Sequence, residues 1–184
     1  MRLLNDDVDE LERILAARDG DDSAQEWLIR RYTPPVYRFC VRMLRQDEDA
    51  RDVTQDCLVR VMRNLHRYDV NRRFSTWVFG IARNACVDEL RRRKRLAGGL
   101  DREPVDLGPS PLELSSRQER ADRLRDALDT LPPMYREVLV LYHFEHLKYR
   151  EIADALDLPI GTVMNRIFRA RGKLRDAYGL EETA

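Results

Sequence analysis

Residues 151–174 read EIADALDLPIGTVMNRIFRARGKL. Ile152, Ala153 and Leu156 mark a short amphipathic helix, which Leu158-Pro159-Ile160-Gly161 breaks before Thr162 starts a second one. In that second helix Val163, Ile167, Ala170 and Leu174 recur at spacings of 4, 3 and 4 residues and share one apolar stripe. The opposite side carries Asn165, Phe168 and Arg169, with Arg166 on a flank. Two short helices joined by a Gly-containing turn describe a helix-turn-helix. Arg bonds guanine edges or phosphates and Asn bonds adenine edges, so this surface suits duplex DNA. An ordinary helical hairpin with a solvated basic face is the plainer alternative.

Outward from this motif the chain divides into two helical blocks. The first runs from about Asp9 to Arg95. One helix is expected over Val8–Arg18, and a second from Asp22, where D-S-A-Q resembles a capping box. Thr33-Pro34-Pro35 is expected to interrupt that second helix before VYRFCVRMLR resumes the pattern. Asp47 is placed to cap the next helix, on which Ala50, Val53, Cys57, Val61 and Leu65 repeat on one face. Ser75 is placed to cap a long helix reaching about Lys94, with Phe74 and Phe79 spaced as a hydrophobic staple. Residues 98–114 combine Gly, Pro and acids without periodicity and read as an extended linker. The second block opens at Ser116, where S-R-Q-E is a capping box, and continues through Leu124, Leu128 and Leu131. Pro132-Pro133 then start a helix containing Val138, Leu139 and Tyr142.

Composition narrows the class. At 184 residues with 36% charged and 8% aromatic side chains, the chain suits a soluble, mostly helical protein. Its formal net charge of +0 hides segregation, because residues 71–95 carry eight bases against two acids and residues 160–175 carry five bases and no acid. Local potential decides phosphate binding, so neutrality overall does not exclude nucleic acid. No apolar run approaches the ~18 residues of a membrane span, and the acidic N-terminus lacks the apolar core of a secretory signal, which points to a cytoplasmic chain without membrane insertion. Cys40, Cys57 and Cys86 sit apart within apolar patterns and read as buried free thiols, with neither metal nor cofactor expected. No phosphate loop, nucleophile elbow or catalytic carboxylate pair is present, so the chain does not read as an enzyme.

The long helix of the first block, RRFSTWVFGIARNACVDELRRRKR from Arg72 to Arg95, sets aromatics beside bases. Trp77, Ile81, Asn84, Asp88 and Arg91 share one face. Unpaired bases stack on rings while Arg and Lys track a strand's backbone, so the helix suits single-stranded nucleic acid. The bland reading makes Trp77 and Phe79 core residues and RRRKR a solvated helix end.

Taken together, both blocks resemble an RNA polymerase sigma factor of the extracytoplasmic-function (ECF) group. PVYRFCVRMLRQDEDARDVTQDCLVRVMRNLHRYD and the basic helix after it resemble sigma region 2, and LDTLPPMYREVLVLYHFEHLKYREIADALDLPIGTVMNRIFRARGKL resembles region 4. The resemblance implies an all-α fold of two helical domains, residues 1–96 and 115–184, joined by a linker over 97–114. It implies core RNA polymerase (β′ and β subunits), promoter DNA and an anti-sigma factor as partners. Asp49, Asp52, Gln55, Asp56 and Arg60 fall where the family docks on core polymerase. Arg72, Arg73, Phe74, Trp77, Asn84, Asp88, Arg91 and Arg92 fall where it melts and reads the −10 element, an extruded base entering a pocket. Thr162, Met164, Asn165, Arg166, Phe168 and Arg169 fall where it reads the −35 duplex. A conventional dimeric helix-turn-helix regulator with an N-terminal sensing domain is the alternative, and it would require palindromic duplex DNA.

One departure stands out. The family commonly reads GTVKSR or GTVRSR where this chain has Gly161-Thr162-Val163-Met164-Asn165-Arg166. Met164 removes a cation that ordinarily meets phosphate, which implies a shifted −35 preference and weaker non-specific affinity. Met164→Lys is therefore expected to steepen the dependence of log affinity on log salt by about one, the signature of one added phosphate contact. An unchanged slope across a salt titration removes the idea.

Overall fold

Every regular element in the computed structural model is helical, across the residues it describes: 2–96 and 126–178, with side chains over 9–96 and 126–176. The first half contains α1 (Arg2–Arg18), α2 (Asp22–Leu44), α3 (Asp47–Arg63), a 3-10 turn (Leu65–Arg67) and α4 (Phe74–Leu96). The second contains a helical segment at 126–130, α5 (Pro133–His143), α6 (Tyr149–Leu156) and α7 (Ile160–Tyr178). The expected linker, the Ser116 box and Leu124 lie outside the described residues. Among the described residues no helix is long and apolar enough to cross a membrane.

α2 corrects the reading of Pro34 and Pro35. The helix runs unbroken through both. Each proline lacks the N–H that would reach the carbonyl four residues earlier, at Arg30 and Arg31, and one such interior site costs about 3 kcal/mol. Both of those residues are exposed, so water can serve their carbonyls. Leu28, Tyr32, Val36 and Phe39 form a buried stripe on either side of the pair. At roughly 1.5–3 kcal/mol per buried side chain, that stripe outweighs the defect.

Capping differs from expectation by one or two residues in three places. Asp21, not Asp22, caps α2, its carboxylate accepting from the Ala24 N–H at 2.8 Å. Asp47 lies inside the first turn of α3, whose cap is Gln46, and its carboxylate instead takes the Tyr37 hydroxyl and pairs with Arg51 at 2.8 Å. α4 begins at Phe74, so Ser75 is already helical. The staple rings go separate ways: Phe74 meets Tyr32 and Tyr68 edge-on, while Phe79 tilts against Phe39. The helix-turn-helix turns at Asp157, which holds φ 53, and α7 then starts at Ile160. Gly161 and Thr162 are therefore helical, the Thr162 N–H bonding the Pro159 carbonyl at 2.9 Å.

The three thiols are free and buried as expected. The Cys86 thiol donates to the Cys40 sulfur at 3.7 Å. That bond and burial push the Cys86 thiol up, and burial pushes Cys57 up to about 12.

The apolar core is one cluster that continues from the first half into the second. Arg136 ties the seam. Only 4% exposed, it sends Nε to the Leu128 carbonyl at 2.9 Å and Nη2 to those of Leu131 and Asp129 at 2.9 and 3.2 Å. Its Nη1 crosses to the Met43 carbonyl at 3.0 Å, in the last turn of α2. Helix C-termini present unpaired carbonyls and a negative dipole end, so one guanidinium serves two of them. Burial pulls the Arg136 pKa down to about 10. Arg136→Met keeps the bulk and strips the donors from these carbonyls, which should destabilise the chain by about 3 kcal/mol in chemical denaturation. A loss within experimental error refutes this role.

Candidate nucleic-acid interface

On α3, Asp52, Gln55, Asp56 and Arg60 are all exposed along one side. Val59 joins them at 42% exposure, an apolar position that residue-by-residue polarity passes over. Asp49 is drawn inward, where its carboxylate accepts from Arg93. Arg60 also reaches to 3.8 Å from Asp88 on α4, so two expected sites meet at one exposed pair.

The loop before α4 is pinned by rings. Phe74 is buried beneath Tyr68, and Trp77 is half-buried against both, at 5.5 and 5.6 Å between centroids. The Tyr68 hydroxyl closes the loop by donating to the Arg72 carbonyl. Phe74 is thus a foundation for the loop, and Trp77 shows only part of its ring. Arg72 stays exposed, 3.9 Å from Asp69. Farther along, Asn84, Asp88, Arg91 and Arg92 are exposed. Asp88, Arg91, Lys94 and Arg95 line an open groove at the basic end of the helix. Arg92 grips Glu89 at 2.7 and 2.9 Å, and this hydrogen bonding holds the Glu89 carboxyl below its ordinary range.

α7 separates its expected readers. Met164, Asn165, Phe168 and Arg169 face outward, and Thr162 is half-buried at the first turn. Arg166 is withdrawn: its side chain is 19% exposed and its Nη1 donates to Glu137 Oε1 at 2.9 Å. Three residues from Val163, which is fully buried, Arg166 sits on the boundary between core and surface.

Residues that periodicity did not single out join the halves. Glu137, 1% exposed, also accepts from Arg83 Nε on α4 at 2.9 Å, so each carboxylate oxygen holds one guanidinium. Arg73 pairs with Glu151 at 3.2 Å, and Arg45 with Asp129 at 2.9 Å. Arg42 lies over the Phe144 ring at 4.0 Å. Between these contacts α4 and α6 come so close at Gly80 that an added Cβ would stand 3.0 Å from the Ala155 carbonyl oxygen. Glycine in mid-helix costs α4 about 1 kcal/mol relative to alanine, and the close approach is what uses it. The one signal for Glu137 in the sequence is a carboxylate set within the apolar run of α5.

A basic, ring-backed helix and a polar recognition helix are therefore carried on opposite halves of one helical chain. Comparison with known proteins decides the family. Residues 28–96 match the Sigma-70 region 2 model and residues 121–174 match Sigma-70, region 4. The chain belongs to the ECF sigma-70 family. It is 33% identical to the ECF RNA polymerase sigma factor SigW of Bacillus subtilis, over 89% of this chain and 94% of that protein. It is 36% identical to the ECF sigma factor SigE of Mycolicibacterium smegmatis, over 85% of this chain and 63% of that one. CnrH, solved in complex with the cytosolic domain of CnrY, superposes with a TM-score of 0.71 at 25% identity, over 94% of this chain and 99% of its own. Members of this family direct RNA polymerase to promoters and leave catalysis to the polymerase.

The close approach at Gly80 yields a direct test on this sigma factor. Gly80→Leu strengthens α4 as a helix and drives a branched side chain into the α6 backbone. The variant is expected to scatter with a radius of gyration clearly above the ~16 Å of a compact chain this size, with helix content kept. An unchanged radius overturns the close-packed seam.

Proposed function

We propose that this chain holds core polymerase through the exposed side of α3, reads the −10 element as a melted strand with the loop at 68–73 and α4, and reads the −35 element as duplex with α7. The observation that carries the reading is the pairing of two different nucleic-acid surfaces on one chain. One sets the partly exposed ring of Trp77 beside cations, as unpaired bases require. The other presents amide and guanidinium groups from the second helix of a helix-turn-helix, as the major groove requires. A dimeric repressor has use for the second surface alone.

Spacing adds a requirement. The two elements lie about 25 base pairs apart, or about 85 Å of duplex. A compact chain with a ~16 Å radius of gyration is only about 40 Å across. The halves must part for both elements to be read at once. The linker expected over 97–114, at about 3.4 Å per residue when extended, reaches about 60 Å, which added to the width of the halves themselves suffices. Parting separates Arg83 from Glu137 and Arg73 from Glu151. CnrH was solved with CnrY, and a partner of the anti-sigma kind fits this chain as well, holding the halves away from polymerase and promoter.

Transcription with purified core polymerase on a promoter library is the decisive measurement. Initiation at a defined subset of promoters, dependent on both the chain and core polymerase, is expected. Absence of core-dependent initiation overturns the function.

A further inference from the structure

Three large apolar side chains on α7 remain uncovered: Ile160 at 46% exposure, Met164 at 52% and Phe168 at 78%. Their spacing of four residues lines them up along one side of the helix, away from the buried stripe of Val163, Ile167 and Ala170. Folding leaves about half or more of each side chain exposed, and a contiguous exposed apolar strip marks a binding surface.

What surrounds the strip says what it binds. Residues 160–175 carry five bases and no acid. Asn165 and Arg169 stand exposed beside it, while Arg166 is turned inward to Glu137. An apolar seam within a cationic surface matches the major groove, where phosphates border the edges and the thymine 5-methyl is the apolar mark on the floor. The withdrawal of Arg166 takes away one guanine-reading group and leaves Asn165, suited to adenine, next to Met164. An A·T pair presents an adenine edge and a thymine methyl together, and these neighbours match both.

We propose that Ile160, Met164 and Phe168 read thymine methyl groups in the −35 duplex. The inference rests on α7 being the −35 helix and adds what that helix selects. The strip spans ~12 Å along the axis, the length of about three to four base-pair steps. The −35 element of this sigma factor is therefore an A·T-bearing sequence read by its methyl groups, with Arg169 left to recognise guanine or phosphate.

Uracil tests this directly, because it pairs as thymine does and lacks only the methyl. The full chain, assembled with core polymerase, is used to select from a duplex pool randomised across the −35 window. The selected duplex is then remade with deoxyuridine at each thymine in turn. Wild type is expected to lose about fourfold in affinity at each contacted thymine, the worth of one buried methyl. Ile160→Ala, Met164→Ala and Phe168→Ala, all at exposed positions and checked for unchanged melting, should each abolish the difference at one thymine and keep it at the others. Equal affinity for thymine and uracil at every position overturns the proposal, as does a difference that survives in all three variants. A strip that serves only a protein partner gives the first of those results. Failure of the pool to enrich any sequence sinks the −35 reading of α7 itself, and is distinct from enrichment without methyl dependence.

Discussion

A carboxylate buried to 1% exposure must be answered by cations, and the arrangement of this chain turns on how Glu137 is answered. Desolvating a charge costs several kcal/mol, and only close, hydrogen-bonded partners offset it. Arg83 comes from the first half and Arg166 from the recognition helix, each at 2.9 Å to its own oxygen. Such a cluster adds little net stability over a well-packed apolar one, but it is intolerant of misplacement, because shifting any member leaves an unpaired charge in the interior. Arg136, the preceding residue, extends the same logic to backbone carbonyls on both halves. Two adjacent residues of α5 thus set where α2, α4 and α7 stand.

The cluster also determines what the recognition helix shows to solvent. An α-helix turns 100° per residue, so residues 163, 166 and 169 step from core through boundary to surface. At the boundary a long side chain goes wherever its charge is best met, and for Arg166 that is inward. The outward face is left more apolar than its basic composition suggests, and Arg169 is the guanidinium at its centre. Composition and surface chemistry diverge here because of one carboxylate on another helix.

Much of the fold was legible in the chain. The stripes Ala50–Leu65 and Val163–Leu174, the Pro132-Pro133 start and the burial of the thiols all follow from a 3.6-residue period and side-chain polarity, which are local properties. Helix ends were less so, since Asp21 and Asp22 offer the same carboxylate and only the packed geometry chooses between them. The proline pair misled for a related reason: the local rule is real, and tertiary burial outweighed it. The charged residues at the seam were least legible. Arg83, Arg136 and Glu137 look like ordinary surface residues until a partner tens of positions away is brought beside them, and no pattern within one helix encodes that partner.

The proline pair divides α2 into unequal parts in a way that bears on how the molecule breathes. The carbonyls of Arg30 and Arg31 lack their backbone donors, so the helical ladder has a seam there, beside Arg31 and Tyr32, whose side chains reach Glu10 of α1. Cooperative opening propagates along hydrogen-bonded ladders and stops where they are interrupted. Amide protons beside the seam are therefore expected to exchange with solvent sooner than those deep in the packed end of the helix, such as that of Phe39.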